Sequence, residues 1–389
     1  MDAAALPPAS PSISWHDAAG AVHTARWRSE AGLAPPRRVV PVDDTLTADA
    51  AFRWAHEGTA MLWQGDYHNA RQLLQALGRR LDKRRAGAGG AAPAFPEAFH
   101  KHRMALGQRA RVLAQVLVPL EAPYAIPLRR APDVQAACEE AWGPAEGPSV
   151  VSLRELLGLV GAHEWRRRGV PIAALGGASI HPHYGVFSPV RGEYVQLVAD
   201  TPLPAACTAE PLAWDLGTGT GVLAAVLARR GLQVLAIDTD PRALACAGEN
   251  VARLGVASSV TVQAVDLWPE GRAPLIVCNP PWLPGKPAAP IEAAVYDPDS
   301  RMLRGFLAGL AGHLSPGGEG WLILSDLAEH LRLRSREQLL GWIEAAGLVV
   351  LGRGEVRPGH RKAQDREDPL FVARSREVTG LWRLGSRSS

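Results

Sequence analysis

From Thr47 onward apolar residues recur at helical spacing. Ala48, Ala51, Phe52, Ala55 and Leu62 fall on one face, and Leu73, Leu74, Leu77 and Leu81 line up in a second run. The same spacing predicts a helix over residues 96–118. Phe99, Leu106, Ala110, Leu113 and Leu117 form its stripe, with Lys101, Gln108, Arg111 and Gln115 opposite. Two more helical stretches follow near Asp133–Trp142 and Ser152–Arg168. Residues 1–45 are rich in Ala and Pro with little periodicity and are expected to form an irregular arm, and Ala86 to Pro96 has the composition of a linker. Beyond Pro171 the texture changes. Strand-length apolar runs at Leu212–Leu216, Gln233–Ile237, Val260–Ala264, Leu275–Cys278, Gly320–Leu324 and Leu348–Gly352 alternate with helical stretches. A last pair of β-like runs lies at Leu370–Ala373 and Val378–Arg383. Such alternation predicts a parallel sheet covered by helices on both faces. The expected organisation is an arm over 1–45, a mostly α-helical domain over 46–170, and an α/β domain over 171–389.

Composition narrows the function classes only modestly. With 47% apolar and 21% charged residues, the 389-residue chain buries a real core and is not disordered throughout. No apolar run approaches the ~20 residues of a membrane-spanning helix, and the first residues lack the basic-then-apolar order of a secretory signal. Cys138, Cys207, Cys246 and Cys278 are widely spaced, which argues against a disulfide framework or zinc knuckle and for a reducing, cytoplasmic setting. His181 and His183 have no third ligand at metal spacing, so no metal site is expected. Net charge is only +3, yet nine Lys and Arg stand against two acids between Arg79 and Arg111. That cluster suits either a solvated helix face or a surface for polyanions.

Two motifs carry the chemistry. The first is Asp215-Leu216-Gly217-Thr218-Gly219-Thr220-Gly221, which closes a predicted strand and opens a helix. Alternate glycines let the backbone turn tightly and pass close to a ligand. Asp238 ends the next predicted strand, where a carboxylate can accept from both hydroxyls of a ribose. A dinucleotide loop needs G-x-G-x-x-G; here Val222 holds the third glycine's position. Asp266 follows the third strand. The second motif, Asn279-Pro280-Pro281-Trp282, ends the fourth strand. The Asn279 side-chain oxygen and the Pro280 carbonyl can hold the two hydrogens of a planar nitrogen, and two prolines preorganise them. Trp282 offers a flat surface for stacking.

The D-x-G-x-G-x-G loop resembles the first motif of class I S-adenosylmethionine-dependent methyltransferases. The N-P-P-W tetrad resembles the N-P-P-[FYW] signature of those acting on adenine, guanine or glutamine nitrogens. The wording of Ile180–Glu193 looks like the lead-in of the small-domain methyltransferases, with Pro189, Arg191 and Glu193 echoing the glutamine enzymes out of register. The resemblance covers about residues 178–385. It implies a seven-stranded doubly wound sheet with a reversed last strand and S-adenosyl-L-methionine as cofactor, bound by Asp215, Gly217, Thr218, Gly219, Gly221, Asp238 and Asp266. Asn279, Pro280 and Trp282 would hold the accepting nitrogen. Tyr296 to Ser300 is expected to start a helix, and Asp326 to be a turn or cap. The leading expectation is methylation of an RNA base, with the basic helical half gripping the polynucleotide. The alternatives are a protein glutamine methyltransferase acting on a translation factor or ribosomal protein, and a non-catalytic cofactor-binding scaffold.

Overall fold

A computed structural model describes residues 11–87, 94–189, 192–287, 290–359 and 365–387. The chain divides into two compact units. One comprises Met1–Ala91 and Lys101–Glu164, the other Ala92–His100 and Trp165–Ser389.

The first unit holds six strands: β1 (Ser12–His16), β2 (Val22–Arg28), β3 (Arg38–Val42), β4 (Thr59–Trp63), β5 (Val116–Leu120) and β6 (Ser149–Ser152). They form one mixed sheet in the order β1-β2-β6-β5-β4-β3. Five helices accompany it: α1 (Ala48–His56), α2 (Tyr67–Gly87), α3 (Glu97–Leu113), α4 (Gln135–Trp142) and α5 (Leu153–Arg168). Thr47 caps α1 by accepting the Ala50 amide hydrogen at 3.3 Å. The helices fall where their periodicity predicts, but the sheet corrects two expectations. Residues 11–45 are not an irregular arm; they supply three strands, and the first ten residues lie outside the description. The helical region is also threaded by β4, β5 and β6. Ile13, Ala25 and Trp27 bury one face of the β1–β2 hairpin in a cluster with Leu62, Leu117 and Val150. Strands so short reach their partners across long sequence separations, so local pattern hardly registers them. Leu117, which continues the α3 stripe by spacing, is in β5 because the helix ends at Leu113.

The second unit opens with the antiparallel pair β7 (Val170–Pro171) and β8 (Ser179–Ile180). Its main strands are β9 (Leu212–Leu216), β10 (Gln233–Asp238), β11 (Val260–Ala264), β12 (Ala273–Cys278), β15 (Leu314–Ser325), β16 (Leu348–Val356) and β17 (Thr379–Ser386). A short parallel pair, β13 (Leu283–Pro284) and β14 (Tyr296–Asp297), lies between β12 and β15 in sequence. The seven main strands run β11-β10-β9-β12-β15-β17-β16. All neighbours are parallel except β17, which is antiparallel to both β15 and β16. β12 is buried along its whole length, as expected of a central strand covered on both faces. The helices are α6 (Glu193–Asp200), α7 (Ala206–Ala209), α8 (Val222–Arg229), α9 (Pro241–Arg253), α10 (Arg301–His313), α11 (Leu327–His330), α12 (Arg336–Ala345) and α13 (Phe371–Arg374). Asp240 caps α9, with Pro241 in its first turn. Leu370–Ala373, expected as a β-run, forms the α13 turn instead, and only the second run of that pair becomes strand. Among the described residues no helix is long and apolar enough to cross a membrane.

Candidate active site at the strand tips

The strand order reverses between β9 and β12, the place where doubly wound sheets open a crevice at their carboxyl edge. A cavity of about 1000 Å³ lies there within the second unit. Gly217, Thr218, Gly219, Asp238, Asp266, Asn279, Pro280 and Trp282 all line it. Eight of the ten residues singled out by sequence thus line one cavity.

The loop after β9 follows from its glycines. Gly217, Gly219 and Gly221 have φ of +73°, +55° and +77°. A Cβ on Gly217 would sit 2.6 Å from the Met302 Cε, whereas one on Gly219 would meet nothing within 4 Å. Gly219 therefore keeps open space in the cavity, and the loop is a cradle that a side chain would fill.

The other two residues lie elsewhere. Asp215 is 1% exposed and outside the cavity wall. Its Oδ2 accepts from the Thr218 hydroxyl at 2.7 Å and the Ala224 amide at 3.1 Å, pinning the loop to the first turn of α8. Burial pushes its carboxyl up to about 6. Gly221 faces α9, where a Cβ would lie 3.1 Å from the Ala247 Cα. Its glycine answers a packing need.

Asp238 is held by three backbone donors. Gly219 donates to Oδ2 at 3.0 Å, and Thr239 and Asp240 donate to Oδ1 at 2.8 and 3.0 Å. Of about four lone-pair sites on a carboxylate, one remains, on Oδ2.

The Trp282 indole Nε1 donates to the Asn279 Oδ1 at 2.9 Å. Trp282 thus fixes the asparagine amide as well as lining the cavity. Asp297, in β14, accepts the amides of Met302 and Leu303 at 3.0–3.2 Å and so anchors α10; burial raises its carboxyl. The lead-in segment contributes Gly185, Val186 and Phe187 to the wall. Arg191, named with it, lies outside the described residues. His181 and His183 tie that segment to α9. The His181 amide donates to the Asn250 Oδ1 at 2.8 Å, and the His183 Nε2 lies 3.0 Å from the Glu249 Oε2.

Sequence reading misses Met302, Trp268, Arg374 and Glu377, all in the cavity wall. The last two arrive through the reversed strand. β17 begins at the edge where the parallel strands end, and Asp326 holds it there by accepting the Val378 amide at 2.7 Å. No local motif signals that approach. In the first unit, two members of the basic cluster are ion-paired, Arg80 to Asp49 at 2.7 Å and Arg109 to Asp82 at 3.2 Å.

Residues 178–333 match the family model described as Methyltransferase small domain. A release factor glutamine methyltransferase of Cereibacter sphaeroides is 38% identical over 165 residues, covering 37% of this chain and 55% of that protein. A ribosomal protein L11 methyltransferase of Pelotomaculum thermopropionicum is 38% identical over 145 residues, 36% of this chain and 39% of that protein. The chain therefore spans about half the length of these relatives or less. Among solved structures, the ribosomal protein L11 methylase of Lactobacillus delbrueckii subsp. bulgaricus aligns over 55% of this chain and 87% of its own, at 18% identity and a TM-score of 0.36.

Proposed function

We propose, from the match of residues 178–333 to the methyltransferase small domain, that the chain moves a methyl group from S-adenosylmethionine to a planar nitrogen of a protein. A glutamine side-chain amide of a translation-related protein is the acceptor. The observation that carries this reading is the shared cavity, which the glycine cradle, Asp238, Asn279 and Pro280 all line. The sulfonium, when bound, supplies an electrophilic methyl. The open space at Gly219 and the remaining acceptor site on the Asp238 Oδ2 fit a nucleoside. Asp266, Leu267 and Trp268 wall the region where its base would lie.

The chain's own residues then orient the acceptor. The Asn279 Oδ1 keeps one lone pair beyond the Trp282 hydrogen bond and takes one N–H; the Pro280 carbonyl takes the other. Holding both hydrogens aims the nitrogen's lone pair along the line of attack, where positioning supplies much of the rate. The nitrogen gains the methyl, the carbon–sulfur bond pair stays on sulfur, and one proton leaves the nitrogen for solvent.

A protein acceptor is favoured over the RNA base first expected. Both curated relatives described above are named for protein or release-factor methylation, and part of the basic cluster is neutralised by ion pairs. The test is a lysate from cells lacking this chain, incubated with purified protein and tritiated methyl donor, then split into RNA and protein. Label is expected on protein, acid-stable and resistant to nuclease. Label confined to RNA would overturn the assignment. In the same assay Asn279→Ala is expected to lose about 100-fold or more in turnover while calorimetry finds donor affinity unchanged.

A further inference from the structure

We infer that Arg374 is a further catalytic residue, one that donates to the carbonyl oxygen of the amide being methylated. The inference rests on the amide reading above and extends it to the half of the amide that reading leaves uncovered. Asn279 and Pro280 account for both hydrogens on nitrogen. The oxygen of the same group needs a donor, since a buried carbonyl without one costs about 1–3 kcal/mol.

Trp282, Tyr296, Arg301 and Arg374 are among the side-chain donors that line the cavity. The Trp282 Nε1 is committed to Asn279, and Arg301 is exposed at the start of α10. Arg374 lines the same cavity with its side chain 17% exposed. Its ion pair brings the Nε to 3.2 Å from the Asp368 Oδ2, and that Nε, buried, makes no hydrogen bond. A mostly buried guanidinium with an unbonded Nε, lining the same cavity as the two acceptors, complements a primary amide: two hydrogens on one side, one oxygen on the other.

Topology explains why an arginine can be there. The turn α13 and residues 375–378 lead into β17, which runs against its neighbours and so starts at the strand tips. The Ser325 hydroxyl donates to the Glu377 Oε1 at 2.7 Å and, with Asp326, fixes this lead-in to the end of β15. A donor at the oxygen also fixes the orientation of the amide plane, so that the nitrogen and not the oxygen meets Asn279 and Pro280.

The test compares wild type, Arg374→Lys and Arg374→Ala on the protein fraction of the knockout lysate, with donor affinity measured alongside by calorimetry. Arg374→Ala is expected to lose about 100-fold or more in kcat/KM with donor Kd within twofold of wild type, and Arg374→Lys to lose less. Added guanidinium at millimolar concentration should restore a measurable part of the Arg374→Ala rate, which it cannot do for a misfolded chain. Wild-type turnover in Arg374→Ala overturns the inference alone. So does a loss that tracks lost donor binding and resists guanidinium. A wild type that labels no amide overturns the amide reading, and the inference falls with it.

Discussion

Asp215 and Gly217 show how far a motif can be trusted one residue at a time. The spacing D-x-G-x-G-x-G locates the crevice, but it cannot say which members touch a ligand, because that depends on what packs behind the loop. Asp215 stands behind it as a brace. Its carboxyl is raised to about 6 from 3.8 by burial. Between those values the folded chain keeps a proton that the unfolded chain has released, so stability falls as pH rises through this window, by up to about 1.4 kcal/mol per unit, and levels off above it. Asp215→Asn keeps an acceptor oxygen and removes the titration. Denaturant melts at pH 4, 5, 6 and 7 should show a flatter profile for the variant than for wild type. Gly217→Ala meets two obstacles, a positive φ and the Met302 methyl. It should cost about 1–3 kcal/mol, and less when Met302→Ala is also present. A double-mutant cycle on unfolding free energy checks the difference.

Among elements, α10 lines the cavity with Arg301, Met302 and Gly305 and holds Trp268 in its wall. Trp268 stacks on Phe306 and His313 with ring centroids 5.9 and 4.4 Å apart, and its indole donates to the Gly305 carbonyl at 3.1 Å. A Cβ on Gly309 would run into that indole. Gly309→Ala should therefore push Trp268 toward the cavity, costing about 1–3 kcal/mol of stability and several-fold in donor affinity, read by calorimetry. Elements of this unit are largely legible in the sequence. β9, β10 and β12 are central strands whose continuous apolar runs are bounded by motif residues. β1 and β2 are not legible, since Ile13, Ala25 and Trp27 make sense only once Leu62, Leu117 and Val150 stand opposite. Leu370–Ala373 misleads because four apolar or small residues suit a helical turn as well as a strand.

For the whole molecule, the boundary between units was the least legible feature. Composition places it near residue 170, yet Ala92–His100 groups with the second unit. Phe99, 2% exposed, sits there in a cluster with Leu283, Leu327, Leu331 and Leu370, residues far ahead in the chain that no window around Phe99 contains. Phe99→Ala should destabilise the chain by about 3–5 kcal/mol, measured by thermal or denaturant unfolding, and should loosen the wall formed by Leu283 and Leu327. The same long reach governs the other end. Because β17 slots between β15 and β16, a polypeptide stopped short of Thr379 leaves two strands with bare edges. During synthesis Arg374 and Glu377 are therefore the last residues of the cavity wall to leave the ribosome, and they take their places only once β17 has found its slot.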